Sequence, residues 1–378
     1  MKQMLGFDLQ YNYLEKQTFI QCFASVYTYM EMQNNRAGVF SEPDIGGHCV
    51  GCGSGGPLHH CKKDSAAKKR CAFFALFNTM CGNSSLRRRF DGMPTDMQKL
   101  IGDTDAEGKG CGSDFTVDFL FGYAGYAFRL CDDAASFRAE IIASINAGVP
   151  VIAKTKSGEE YHVIIGYDGE NLIIPRVMSY NFATNPPTLN PESTPGYGEL
   201  ERIYIFGGKT ARRYTLKHGL HNIRRVMSYN ISAGLWDQYL TKLGGCAKYP
   251  SGDGLYDADS AERKVRARHL AETNLYMYNI CSFAGAFCCA KMPNHYLHME
   301  LTDPALSPLW DDIDDPHGVI LNAGHKTGIL NRERIWEIED PGRIAALSEE
   351  ICDEIAKAMQ ADIRLLEIID RALEIVEA

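Results

Sequence analysis

"INAGVPVIAKTKSGEEYHVIIGYDGENLIIP", residues 145–175, passes from the end of a helix into three strands and sets the fold class. Upstream, Phe137, Ile141, Ile142 and Ile145 recur at helical spacing, and Asp132 or Asp133 is placed to cap that helix. Gly148 ends it and Pro150 forbids its continuation. "PVIAK" then predicts a buried strand, "EEYHVIIGY" a second and "NLIIPR" a third, the last two joined by the hairpin signal Asp168-Gly169. Farther out, "FTVDFLFGYAGYAFRL" predicts a short helix leading into a strand, and "ERIYIFG" another strand after the Pro-rich loop 185–198. From about Leu216 the pattern is helical, closing on an acidic amphipathic helix.

The expected architecture is therefore α+β over residues 1–215, followed by an all-helical domain over 216–378. A chain of 378 residues is long enough for two cores. At 45% apolar and 23% charged it has ordinary globular composition, which excludes the disordered and fibrous classes. A net charge of -9 argues against nucleic acid as a partner. The start lacks the apolar core of a signal peptide, and no run reaches the length of a membrane span, so no membrane partner is expected and the expected address is cytoplasmic. The thirteen cysteines should then be mostly free thiols.

One of those cysteines is placed for chemistry. In "TFIQCFASVYTYMEM", residues 18–32, Thr18 and Gln21 form a capping-box pattern, and Phe19, Cys22, Phe23, Val26, Tyr27 and Met30 follow at helical spacing. Cys22 is then the fourth helical residue, where unpaired backbone N–H groups and the helix dipole lower a thiol's pKa from about 8.5. A histidine beside it could take the proton and return it to a leaving group. His162 opens a strand 140 residues later, within the roughly 130–150 that papain-like enzymes use. The competing reading makes Cys22 a small apolar residue on the buried face of its helix.

A helix-borne cysteine just after glutamines, a helix ending "INAGVPVIAK" and then "HVIIGYDGENLIIP" together resemble the papain-like superfamily. The likeness is to its bacterial branches, the bacteriocin-leader (double-glycine) peptidases and the butirosin biosynthesis protein H N-terminal family. It covers residues 138–174 specifically and 17–30 more loosely, and it does not extend beyond about 215. The resemblance implies thiol chemistry: amide hydrolysis in the peptidases, and acyl transfer from a carrier protein to an amine in the butirosin-type enzymes. It implies a peptide or an acyl-carrier or small-amine substrate, no cofactor for catalysis, and Gln17 or Gln21 beside the oxyanion.

The superfamily orients its histidine with an Asp or Asn, and here the pattern departs. A two-residue turn at Asp168-Gly169 pairs Tyr167 with Glu170 and sets Pro175 opposite His162; a four-residue turn sets Val177 there. Neither side chain can orient an imidazole. Ser179 and Asn181 are the nearest polar residues, with Asn181 the candidate. A catalytically inactive binding or scaffold protein on the same fold is the alternative function.

A second constellation lies in the Cys/His-rich insertion at 46–71. Cys49 and Cys52 form a C-x2-C pair, with Cys61 and Cys71 as a second pair, the donor set of a structural zinc site. The second pair lacks the x2 spacing, so free thiols remain the other reading. The helical domain would cover the cleft, dock a partner such as a carrier protein, or form a homodimer.

Overall fold

A computed structural model of the chain describes residues 2–5, 19–33, 73–74, 76–85, 115–156, 161–175, 177–178, 189–190, 195–237, 240, 304–312, 316, 319–320, 323 and 340–378. These residues form mixed helix and antiparallel sheet, an α+β arrangement. The chain divides into two compact units. The first comprises Met1–Asn78, Thr116–Thr215 and Met292–His298, and the second Thr79–Phe115, Leu216–Lys291 and Met299–Ala378. Segment 79–115 thus goes with the C-terminal residues, whereas the change in sequence pattern alone assigns it to the first domain.

In the first unit the strands are β1 (Lys2–Met4), β2 (Tyr126–Cys131), β3 (Val151–Thr155), β4 (Tyr161–Ile164), β5 (Gly166–Asp168), β6 (Asn171–Ile173), β7 (Val177–Met178), β8 (Leu189–Asn190) and β9 (Leu200–Lys209). The main sheet has the order β2-β9-β3-β4, a second has the order β1-β5-β6, and β7 pairs with β8. Its helices are α1 (Phe19–Gln33), α2 (Phe115–Ala124) and α3 (Phe137–Asn146).

The α3 to β3 transition follows from local chemistry. Gly148 adopts φ +80°, a left-handed conformation that glycine reaches without penalty, and Ser144 donates its hydroxyl to the Val149 carbonyl at 2.8 Å. At the other end the sequence expectation needs correction. Ser136 is the N-cap residue, and Asp133 stands three residues before it, accepting from the Ser136 hydroxyl at 2.5 Å and the Ala135 amide at 3.1 Å. Those hydrogen bonds hold the Asp133 carboxyl below its ordinary pKa.

Alternation sorts the main sheet into two faces. Ile141 and Ile145 of α3, with Phe137, pack on Val151, Ala153, Ile164, Ile203 and Ile205. The opposite face receives α1: the Phe19 ring lies 5.0 Å from Tyr204, and Phe23 lies 5.1 Å from Phe206. On its far side Phe23 meets Phe77 at 5.0 Å and Phe121 of α2 at 4.9 Å, so α1 is buried nearly all round. A later turn of α1 reaches the α3 cluster through Tyr29.

Tyr123 is fully buried, its ring 5.6 Å from that of Phe119, and among the described residues its hydroxyl has no hydrogen-bond partner. Burial raises its pKa, because the phenolate would be desolvated. An unsatisfied buried hydroxyl costs about 1–3 kcal/mol. Tyr123→Phe is therefore expected to stabilise the protein by about 1 kcal/mol in denaturant unfolding, since the Arg212 guanidinium, 5.5 Å from the ring centroid, keeps its aromatic face. A loss of more than about 1 kcal/mol would give the hydroxyl a role that its surroundings do not suggest.

The second unit contains α4 (Leu216–Ser232), α5 (Ser307–Asp312) and α6 (Pro341–Glu377). Val226 and Leu220 of α4, and Ile355, Leu365 and Ile369 of α6, are buried apolar positions of amphipathic helices. Arg224 pairs with Asp370 across the α4–α6 contact, and the buried Trp236 indole donates to Asp362 at 2.7 Å. No helix among the described residues is long and apolar enough to cross a membrane.

Candidate functional site

Cys22 is the fourth residue of α1, and its side chain is 0% exposed. Gln21, beside it, is also fully buried. The first turn of α1 lies against the start of β4, where the Phe19 and Tyr161 rings meet edge to face at 5.4 Å. The thiol and the histidine strand therefore come from neighbouring segments of one unit.

The side-chain directions differ. In the antiparallel pairing His162 is opposite Ala153, which is opposite Ile203. Directly paired residues share a face. His162 thus projects on the α3 side of the sheet, among the residues that pack on Phe137, Ile141 and Ile145, and is 3% exposed. Tyr161 is opposite Lys154, and Lys154 opposite Arg202; these project on the α1 side. The β4 register does not bring Cys22 and His162 onto one face.

The same register corrects the hairpin. Asp168 pairs with Asn171 and Tyr167 with Leu172, so the two-residue turn is Gly169-Glu170, one position later than the Asp168-Gly169 signal suggests. Gly169 takes φ +61°, the conformation a tight hairpin requires at its first turn position. Ile165 separates β4 from β5, so the two do not run as one continuous ladder. Past that break Tyr167 faces α3 and donates its hydroxyl to Asn146 at 3.0 Å. Neither Pro175 nor Val177 pairs with His162; Val177 pairs with Asn190.

The sheet end on the α1 side is charged. Lys154 bridges the Glu201 carboxylate at 3.0 Å, and Arg202 reaches the same group at 2.9 Å. The Lys154 hydrogen bond holds the Glu201 carboxyl below its usual range. Toward the other end of α1, Glu31 is buried, paired with the Lys209 ammonium, and accepts the Tyr126 hydroxyl at 2.7 Å. Sequence reasoning missed this cluster. Its one local signal is a carboxylate at Glu31 in an otherwise apolar and aromatic stretch of helix.

Gln17, Asn181 and the cysteines Cys49, Cys52, Cys61 and Cys71 lie outside the described residues. Among the described residues no group of three or more His, Cys, Asp or Glu side chains is disposed to hold a metal ion. Cys22, Cys81, Cys131 and Cys352 are thiols outside any disulfide, and burial pushes the Cys81 thiol up to about 12 against backbone hydrogen bonds that lower it. Compared with known proteins, the chain matches no family model and no curated protein sequence.

Proposed function

We propose that the sheet-bearing unit is a papain-like domain that binds its ligand without converting it, with Cys22 packed as a core residue. The observation that carries this reading is the β4 register, in which His162 faces α3 while the first turn of α1 lies across the sheet. The ligand classes are those of the resemblance: a peptide, or an acyl-carrier or small-molecule amine. The second unit would dock a carrier protein or a second copy of the chain. A structural zinc on Cys49, Cys52, Cys61 and Cys71 belongs to the same proposal, as does action in the cytoplasm, where thiols such as Cys22, Cys81, Cys131 and Cys352 stay reduced.

The test is competitive alkylation with limiting iodoacetamide at pH 7, read cysteine by cysteine by peptide mass spectrometry. Cys22 is expected to react no faster than the other twelve cysteines, and Cys22→Ala to leave the biological phenotype intact. A Cys22 that outpaces the rest, and that slows in His162→Ala, overturns the reading.

A second reading is cysteine-dependent acyl transfer or amide hydrolysis, with Cys22 as nucleophile, His162 as general base and acid, and Gln17 or Gln21 near the oxyanion. It is favoured by the position of Cys22 in the first turn of α1, one turn from the Phe19–Tyr161 contact that immediately precedes His162.

A further inference from the structure

We infer that residues 210–214 form a strap that opens as one unit from α2, held shut by the Asp118 carboxylate and driven open by the buried Tyr123 hydroxyl. The inference stands apart from the proposed function, because it concerns a conformational change within the first unit and none of its residues belongs to the Cys22 and His162 segments.

The strap, Thr210-Ala211-Arg212-Arg213-Tyr214, leads from β9 to α4 and is itself neither helix nor strand. Two backbone hydrogen bonds pin it to the C-terminal end of α2, where a helix leaves its carbonyls unpaired. The Thr210 amide donates to the Gly125 carbonyl and the Arg213 amide to the Gly122 carbonyl, each at 2.9 Å. Glycine permits the close approach at both points. A Cβ at Gly122 would lie 2.6 Å from the Tyr214 ring, and one at Gly125, which takes φ +69°, would lie 3.0 Å from the Thr210 carbonyl oxygen.

One carboxylate fastens the side chains. Asp118 accepts from the Arg213 guanidinium at 2.6 Å on one oxygen and from the Tyr214 hydroxyl at 2.7 Å on the other. The Arg213 side chain is 55% exposed, so water and salt screen its ion pair. Tyr214 is 5% exposed and stacks on Phe119 at 5.1 Å, so its hydrogen bond to Asp118 is the better shielded of the two.

Tyr123 acts in the opposite direction. Its ring stacks on Phe119 at 5.6 Å, and the strap's Arg212 guanidinium lies 5.5 Å from its centroid. Arg212, Tyr123, Phe119 and Tyr214 thus form one row that interleaves the strap with α2. With the strap closed, the Tyr123 side chain is fully buried, and among the described residues its hydroxyl has no acceptor. Burial raises its pKa while Arg212 lowers it, which puts the guanidinium within electrostatic reach of a hydroxyl that stays protonated. Lifting Arg212 and Tyr214 away admits water, and the hydroxyl regains a hydrogen bond. A short segment with few backbone hydrogen bonds and exposed charged side chains opens more readily than the sheet beside it.

Native-state hydrogen exchange tests the inference on the Thr210 and Arg213 amides, read residue by residue by NMR in rising urea below the unfolding transition. Both are expected to exchange at least tenfold faster than the Tyr204 and Ile205 amides of β9, and with little dependence on urea, the signature of a local opening that exposes little surface. In that range Tyr123→Phe should slow the strap amides about fivefold, and Asp118→Asn should speed them about tenfold.

Strap amides that share the urea dependence of β9 open only by global unfolding, which overturns the inference. A Tyr123→Phe variant that slows the β9 amides and leaves the strap amides unchanged also overturns it, since the hydroxyl then meets water only when the whole unit unfolds. Should Asp118→Asn fail to fold, Tyr214→Phe replaces it: the stacking on Phe119 is kept, one hydrogen bond to Asp118 is lost, and the strap amides should exchange about fivefold faster. An unchanged rate in the folded variant removes Asp118 as the fastening and overturns the inference.

Discussion

Lys209→Met is expected to destabilise the first unit by about 3 kcal/mol. Glu31 is 1% exposed, and among the described residues its partners are the Lys209 ammonium and the Tyr126 hydroxyl at 2.7 Å. The ammonium also lies 4.1 Å from the Tyr126 ring centroid and 5.4 Å from that of Tyr27, so its charge is shared with two aromatic faces. Removing the cation leaves a carboxylate in an aromatic core with one neutral donor, and breaking a buried pair from one side costs about 3–5 kcal/mol. The Lys209 side chain is 25% exposed, so water reaches the vacated place and the loss falls at the lower end. Pairing the change with Glu31→Gln removes the stranded charge and should recover most of the loss, measured in urea unfolding as a double-mutant cycle. Single and double variants that lose stability additively would mean that Glu31 does not depend on Lys209.

Phe23→Ala is expected to cost about 3–5 kcal/mol in the same measurement. The ring is fully buried, with centroids of Phe121 at 4.9 Å, Phe77 at 5.0 Å and Phe206 at 5.1 Å around it. Three separate segments of chain meet on this one side chain, and rigid rings on all sides cannot collapse into the space it leaves. Phe23→Leu, which fills part of that space, should recover about half. Because Phe23 seats α1 on the sheet, Phe23→Ala should also speed iodoacetamide labelling of the adjacent Cys22. A loss below about 1.5 kcal/mol would indicate that α1 is held by its other contacts.

What local sequence exposes about this chain is the identity of its elements. Gly148 and Pro150 mark the α3–β3 boundary, alternation marks β3 and β9, and helical periodicity marks α1, α4 and α6, because each signal lies within a window of a few residues. Side-chain direction on the sheet was not legible, and the candidate site depends on it. The face taken by His162 is settled by its pairing with Ala153, which in turn pairs with Ile203. A strand's period of two makes a one-residue difference into a change of face. The Glu31–Lys209–Tyr126 cluster was hidden for a related reason. Each residue is ordinary where it stands, and the cluster exists only once α1, β2 and β9 are assembled.

The nearly all-round burial of α1 has a consequence for how the protein is made. Its Phe19 and Phe23 pack on Tyr204 and Phe206 of β9, so α1 finds the strand it lies on only when that much later segment has been synthesised. At roughly 5–20 residues per second that wait is on the order of 10 s, long compared with the microseconds in which a helix forms and an apolar chain collapses. During that interval a helix bearing Phe19, Phe23, Val26 and Tyr27 has no sheet to cover it. An apolar helix left uncovered for that long should make aggregation compete with folding during synthesis.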